Sequence, residues 1–178
     1  MAPAERAHEL AKELSRSSAP QEFQLWAKGF VHRTDTSGKP IQIQFTALDG
    51  REVNLALLKD KVVLVDFWST ECPPCIEDMP QIRATYNKFH GRGLEVIGIS
   101  FDEDKAKLQR FLKSRDILWP QYFEGKQGVH NSLAREFGVS GIPHMFVVDK
   151  KGRLRNGNVR RYPWTSVEDN IAKLLDEQ

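Results

Sequence analysis

Two stretches constrain the fold most: Val62–Phe67 (VVLVDF) and Leu94–Phe101 (LEVIGISF). Each is a near-continuous apolar, β-branched run, the pattern of a strand covered on both faces. Each is followed by apolar residues at helical spacing. After the first come Ile76, Met79, Ile82, Tyr86 and Phe89, in steps of three and four. After the second come Leu108, Phe111 and Leu112, behind the acidic start Asp102-Glu103-Asp104 that suits a helix N-terminus. Buried strands alternating with helices predict an α/β fold, a central sheet with helices on both faces.

The flanking segments extend this pattern. Ile41, Ile43 and Phe45 alternate with polar residues, Asp49-Gly50 supplies turn chemistry, and Val53 and Leu55 alternate again, which reads as a β-hairpin. A short strand near Gln121–Phe123 and a helix near Asn131–Phe137 follow, the helix ended by Gly138. His144–Asp149 reads as a strand that Lys150-Lys151-Gly152 turns into a neighbour. A last helix opens on the capping-box pattern Thr165-Ser166-Val167-Glu168 and turns Val167, Ile171, Leu174 and Leu175 inward. The strands at 62, 94 and 121 are expected to be parallel and the hairpins antiparallel, so the sheet should be mixed. Residues 3–18 carry a modest helical stripe (Ala7, Leu10, Ala11, Leu14). Residues 1–40 are read as an N-terminal helical extension with Thr34–Pro40 as linker, ahead of one domain over 41–178.

A chain of 178 residues is long enough to bury a core without staples. Its 26 basic and 24 acidic residues are mixed along the sequence, which argues against nucleic acid or an anionic membrane as an obligatory partner. The longest apolar runs are far too short to span a bilayer, and residues 1–18 lack the apolar core of a secretory signal.

The two cysteines, Cys72 and Cys75, lie three apart directly between the first buried run and its helix, in Trp68-Ser69-Thr70-Glu71-Cys72-Pro73-Pro74-Cys75. Closing so small a loop removes little entropy from the unfolded chain, so the pair is expected to serve chemistry rather than stability. At a helix N-terminus, unpaired amides and the positive end of the dipole favour a thiolate. Pro73 suits the first helical turn, where its missing N–H is no loss. Cys72 is then the exposed attacking thiol, and Cys75, one turn in, the buried thiol that resolves a mixed disulfide. A zinc site would need two more ligands. There is no third cysteine, and His8, His32, His90, His130 and His144 are scattered without a paired motif. No metal is therefore expected.

The stretch VVLVDFWSTECPPCIEDMP, with Gly141-Ile142-Pro143-His144 further on, closely resembles the thioredoxin superfamily. The hairpin before the motif and the strand–helix insertion before Pro143 resemble its TlpA/ResA-type branch. That resemblance covers residues 41–178 and implies a thioredoxin-like fold, dithiol–disulfide exchange with protein partners, an unidentified thiol electron donor and an extracytoplasmic or periplasmic location. The implied cofactor is none beyond a redox-active Cys72–Cys75 disulfide, and the expected state is a monomer. Pro143 matches the family's cis-proline, which with Ile142 before it faces the dithiol and offers a backbone edge to an extended substrate. Asp66 matches the buried acid beneath the dithiol, where burial raises a carboxyl pKa and lets it shuttle the proton of Cys75. Trp68 matches an aromatic flanking the site, and Pro80 the proline that kinks the helix. Pro73 and Pro74 complete the motif.

One position departs from the family: Glu71 stands where a tryptophan is usual, and a carboxylate beside Cys72 disfavours its thiolate. Two other readings compete with the reductase. A peroxiredoxin-like peroxidase needs Pro, then Thr or Ser, ahead of its cysteine; Val65 holds the proline place and only Ser69 fills the hydroxyl position. A non-catalytic binding module of a larger envelope protein would need neither thiol.

Overall fold

The computed structural model describes residues 3–156 and 165–177. Its frame is a five-stranded mixed sheet, built from β3 (Val62–Trp68), β4 (Leu94–Ser100), β5 (Gln121–Phe123), β6 (His144–Val148) and β7 (Leu154–Asn156) in the order β5-β4-β3-β6-β7. The β3–β4 and β4–β5 pairs are parallel, and the β3–β6 and β6–β7 pairs antiparallel. The early hairpin forms a separate two-stranded sheet, β1 (Gln44–Thr46) with β2 (Glu52–Asn54).

β3 is central, and all seven of its residues are buried. Its alternation assigns two cores. Val62, Leu64 and Trp68 meet Met79 and Ile82 of α3 (Pro73–Phe89), with Val167 and Ile171 of α6 (Thr165–Asp176). Val63, Val65 and Phe67 face the other way, onto Ile43, Phe45, Leu133 and Phe137. Leu133 belongs to α5 (Ser132–Glu136), which is capped by the buried Asn131. The helix after β4 is α4 (Lys105–Ser114), capped by Asp104, whose carboxylate accepts from Lys107 N–H. Of the three acids read as a helix start, only Asp104 caps; Asp102 turns inward. The capping box expected at Thr165 and Ser166 depends on side chains outside the described residues.

The N-terminal segment holds α1 (Pro3–Arg16) and a second helix, α2 (Gln21–Asp35), that the apolar spacing did not announce. α2 seats on α5 through two glycines. A Cβ on Gly29 would lie 2.2 Å from the Arg135 carbonyl and from Gly138 N, and one on Gly138 only 2.1 Å from Phe30 N. Only glycine permits such an approach of two backbones. Arg33 Nη1 adds a bond to the Phe137 carbonyl at 2.6 Å. The stretch Thr34–Pro40, expected as a linker, is hydrogen-bonded along β7: Gly38 N donates to Leu154 O at 2.7 Å and Leu154 N to Lys39 O at 3.0 Å. Among the described residues no helix is long and apolar enough to cross a membrane.

Candidate active site

The site sits where β3 ends and α3 begins, at the carboxyl edge of the parallel strands, where open α/β sheets expose backbone and loops to ligands. Cys72 is the N-cap of α3, with Pro73 and Pro74 in the first turn, and its sulfur accepts from Cys75 N–H at 3.3 Å. The two sulfurs are joined, with an S–S distance of 2.04 Å and Cα atoms 5.3 Å apart. Cys72 is 9% exposed and Cys75 2%, so the pair is asymmetric, but Cys72 is less open than its place at a helix end suggested. Its access is through a groove of about 1050 Å³.

The loop into Cys72 is held by bonds that the sequence reading missed. Buried Asp102 accepts from Thr70 N–H at 3.1 Å, from the Thr70 hydroxyl, and from the Ser100 hydroxyl at 2.8 Å. Ser69 Oγ accepts from Glu71 N–H at 2.9 Å, and Ser69 O from Cys72 N–H at 3.2 Å. These bonds satisfy the backbone of a loop that belongs to neither strand nor helix. A signal for them existed: Asp102 directly follows the buried run Leu94–Phe101, where an acid needs several donors.

Trp68 is fully buried and lies behind the site rather than on its surface. Its indole N–H donates to Gln121 Oε1 at 2.9 Å, and its ring packs on Phe111 with centroids 5.5 Å apart. Gln121 reaches across β4 because residue 98 is glycine; a Cβ there would stand 2.0 Å from Gln121 Oε1. Asp66, 1% exposed, shares the β3 face of Leu64 and Trp68, the face that α3 covers, and pairs in register with Gly98 and Met145. Ile142 and Pro143 are joined by a cis peptide bond; Ile142 lines the groove and Pro143 is half-buried. Pro80 falls inside α3.

Glu71 lines the groove with Cys72 and reaches α4, where Lys107 Nζ meets its carboxylate at 2.5 Å in an exposed ion pair. Another wall of the groove is α2, through Glu22, Phe23 and Trp26, and its floor includes Gln127–His130. That floor is tethered by Glu124, whose carboxylate accepts from Ser132 N–H at 2.7 Å and from the Ser132 hydroxyl at 3.0 Å. Burial alone would raise the Glu124 pKa. The donors from Ser132, Lys126 and Tyr122 outweigh it and bring the carboxyl down to about 2. Among the described residues no group of three or more His, Cys, Asp or Glu could hold a metal ion.

The redoxin family profile matches residues 34–175, which is most of the chain and spans both the dithiol and the cis-proline. The chain belongs to the redoxin family. Within it, this redoxin is a thioredoxin-superfamily protein of the TlpA/ResA type. It is 32% identical over 109 residues to thiol-disulfide oxidoreductase ResA of Bacillus thuringiensis subsp. konkukian, and that stretch covers 61% of each chain. The ResA of Geobacillus thermodenitrificans is 29% identical over 135 residues, 75% of each chain. The redoxin chain thus spans about three fifths of the length of the first curated relatives it matches.

Among solved structures, it is similar to the thioredoxin domain of a thiol-disulfide oxidoreductase from Bacteroides vulgatus, with TM-score 0.67 and 25% identity, over 79% of this chain and 98% of that one. A thiol:disulfide interchange protein from Chlorobium tepidum shares the fold, with TM-score 0.65 and 24% identity, over 79% of this chain and 97% of that one. The fold is thioredoxin-like.

Proposed function

We propose that this chain is a thiol–disulfide oxidoreductase that works as a reductase on protein disulfides. One observation carries the reading: a disulfide across the first turn of α3, with Cys72 opening on a groove and Cys75 closed behind it. In the reduced protein, the Cys72 thiolate attacks one sulfur of a substrate disulfide. A mixed disulfide forms and the other substrate sulfur leaves as thiolate. Cys75 then gives up its proton, with Asp66 as the acceptor, and attacks the Cys72 sulfur. The Cys72–Cys75 bond forms and the second substrate thiol departs. Two electrons have moved from the protein to the substrate, and an external thiol donor returns them.

The helix N-terminus supports the thiolate on Cys72. Asp66 is supported in its role by lying on the β3 face beneath α3. Ile142 and Pro143 are read as the backbone edge that receives the substrate, while Pro73 and Pro74 shape the first turn and Trp68 supports it from behind. We extend the proposal to an extracytoplasmic working place, a monomer, residues 41–178 as the thioredoxin-like domain behind an extension of 1–40, and no cofactor beyond the dithiol. These rest on the resemblance to ResA-type proteins. The test is insulin reduction by dithiothreitol followed by turbidity. The wild-type chain accelerates precipitation and Cys72→Ser does not; equal curves for the two would overturn the reading.

A further inference from the structure

Single exposed apolar side chains are ordinary, but apolar side chains grouped along a groove mark a binding surface. Phe23 is 51% exposed, and unlike exposed Leu57 and Leu118 it lines the groove that opens onto Cys72. Half-buried Trp26, one turn along α2, stacks on Phe30 with centroids 5.5 Å apart and also faces the groove. Cys72 and Ile142 line the same groove.

This wall is firm. Backbone contact between Gly29 and Gly138 fixes α2 on α5, Ala27 is fully buried beneath it, and Arg33 ties its last turn to the Phe137 carbonyl. The redoxin profile begins at residue 34, so Glu22, Phe23 and Trp26 lie ahead of the stretch it matches. The ionisable side chains on the groove are Glu22, Glu71 and His130, and among the described residues no lysine or arginine lines it. Glu71 is engaged with Lys107. The exposed carboxylate of Glu22, beside the aromatic pair, is left to set the sign of the field on that side.

We propose that Glu22, Phe23 and Trp26 are specificity-determining residues of the dithiol site. Its substrate is then an extended protein segment whose reactive cysteine is flanked by a bulky apolar side chain and a basic residue. The inference rests on the oxidoreductase reading above and names the substrate class of the same site. The apolar flank covers Phe23 and Trp26, the basic residue answers Glu22, and the cysteine reaches Cys72. A small thiol such as glutathione fills too little of the groove to gain from either.

Three short peptide disulfides test this with the full-length reduced chain: one with Phe and Lys flanking the cysteine, one with Ala for Phe, and one with Glu for Lys. The wild type should favour the Phe peptide over the Ala peptide by about tenfold in kcat/KM, the scale of one partly buried aromatic side chain. It should favour Lys over Glu by about threefold, as exposed charges do. Phe23→Ala should collapse the first ratio towards one and Phe23→Leu should restore most of it. Glu22→Gln should collapse the second. Circular dichroism of each variant checks that α2 is retained. Equal rates on all three peptides, or ratios that survive both substitutions, overturn the inference and leave the oxidoreductase reading standing. No exchange with any peptide or with a small aromatic disulfide overturns that reading itself.

Discussion

The two walls of the groove are built by different rules. The dithiol wall follows from β3 and α3: a buried strand ends, a loop is tied to Asp102, and a helix begins at Cys72. Its residues sit where backbone geometry requires them, and their order along the chain announces that geometry. The α2 wall is held by a contact between two glycines far apart in sequence, Gly29 and Gly138. Neither residue has a side chain whose pattern could announce the other. The first wall supplies chemistry, and the second is placed to choose what the chemistry acts on.

Breaking the glycine contact should give the largest effect on stability. A Cβ at Gly29 meets backbone on α5 that cannot move aside as a side chain would, and Gly138 adds a positive φ of 61°. Gly29→Ala is expected to cost about 3 kcal/mol, the upper range for overpacking. It should also free α2, so that limited proteolysis cuts within residues 21–33. Urea unfolding and mass spectrometry of the fragments check both. A variant as stable and as protease-resistant as the wild type would mean that α2 is not anchored there.

The dithiol wall has its own hidden support in Gln121. Gln121→Leu leaves the buried Trp68 N–H without its acceptor and should cost about 1–3 kcal/mol. The loss should show in denaturant unfolding, with a change in tryptophan fluorescence. Unchanged stability in this variant would assign Trp68 a purely steric role.

How much of this was legible can be read from particular residues. Val62–Trp68 and Leu94–Ser100 were visible because period-two burial on both faces leaves an apolar run, and their parallel pairing followed from the helix between them. The dithiol was visible because its two cysteines fall at the junction of strand and helix. α2 was not visible. Its apolar residues Phe23, Leu25, Trp26, Phe30 and Val31 are spread around the helix, because one side meets α5 and another the groove. A glycine at 29 also reads as a helix weakness until its partner is known. Asp102 was read as part of a helix start because the sequence cannot tell which of three neighbouring acids turns inward. Glu71 was expected to bear on Cys72, yet its partner Lys107 stands a full helix away in the chain.

Acid offers a finer probe of the floor between the walls. Glu124 titrates at about 2 in the folded chain, below an ordinary glutamate, so its carboxylate stabilises the fold fully above about pH 4.5. That contribution is lost as pH falls towards 2. Between pH 5 and 2 the wild type should therefore lose more stability than Glu124→Gln, as measured by thermal melts at each pH. Parallel pH curves would show that the tether of Ser132 to Glu124 carries no stability.

The smallest effect should come from the exposed Glu71–Lys107 pair. Lys107→Ala uncovers a carboxylate near Cys72 and should slow alkylation of the reduced thiol at pH 6, by less than about threefold. Glu71→Gln should speed it by a similar factor. Effects of the same sign in both variants would remove the pair from the electrostatics of the site.

The central claim is the division of labour between the two sulfurs, and trapping a mixed disulfide tests it most directly. Reduced Cys75→Ser and Cys72→Ser variants are each mixed with a peptide bearing an activated disulfide, and the adducts are resolved by non-reducing electrophoresis and mass spectrometry. Cys75→Ser should hold a stable adduct on Cys72, because the thiol that would release it is gone. Cys72→Ser should hold almost none, since Cys75 lies behind the first turn of α3 and is 2% exposed. Equal adduct yields on the two variants, or a dominant adduct on Cys75, would contradict the assignment.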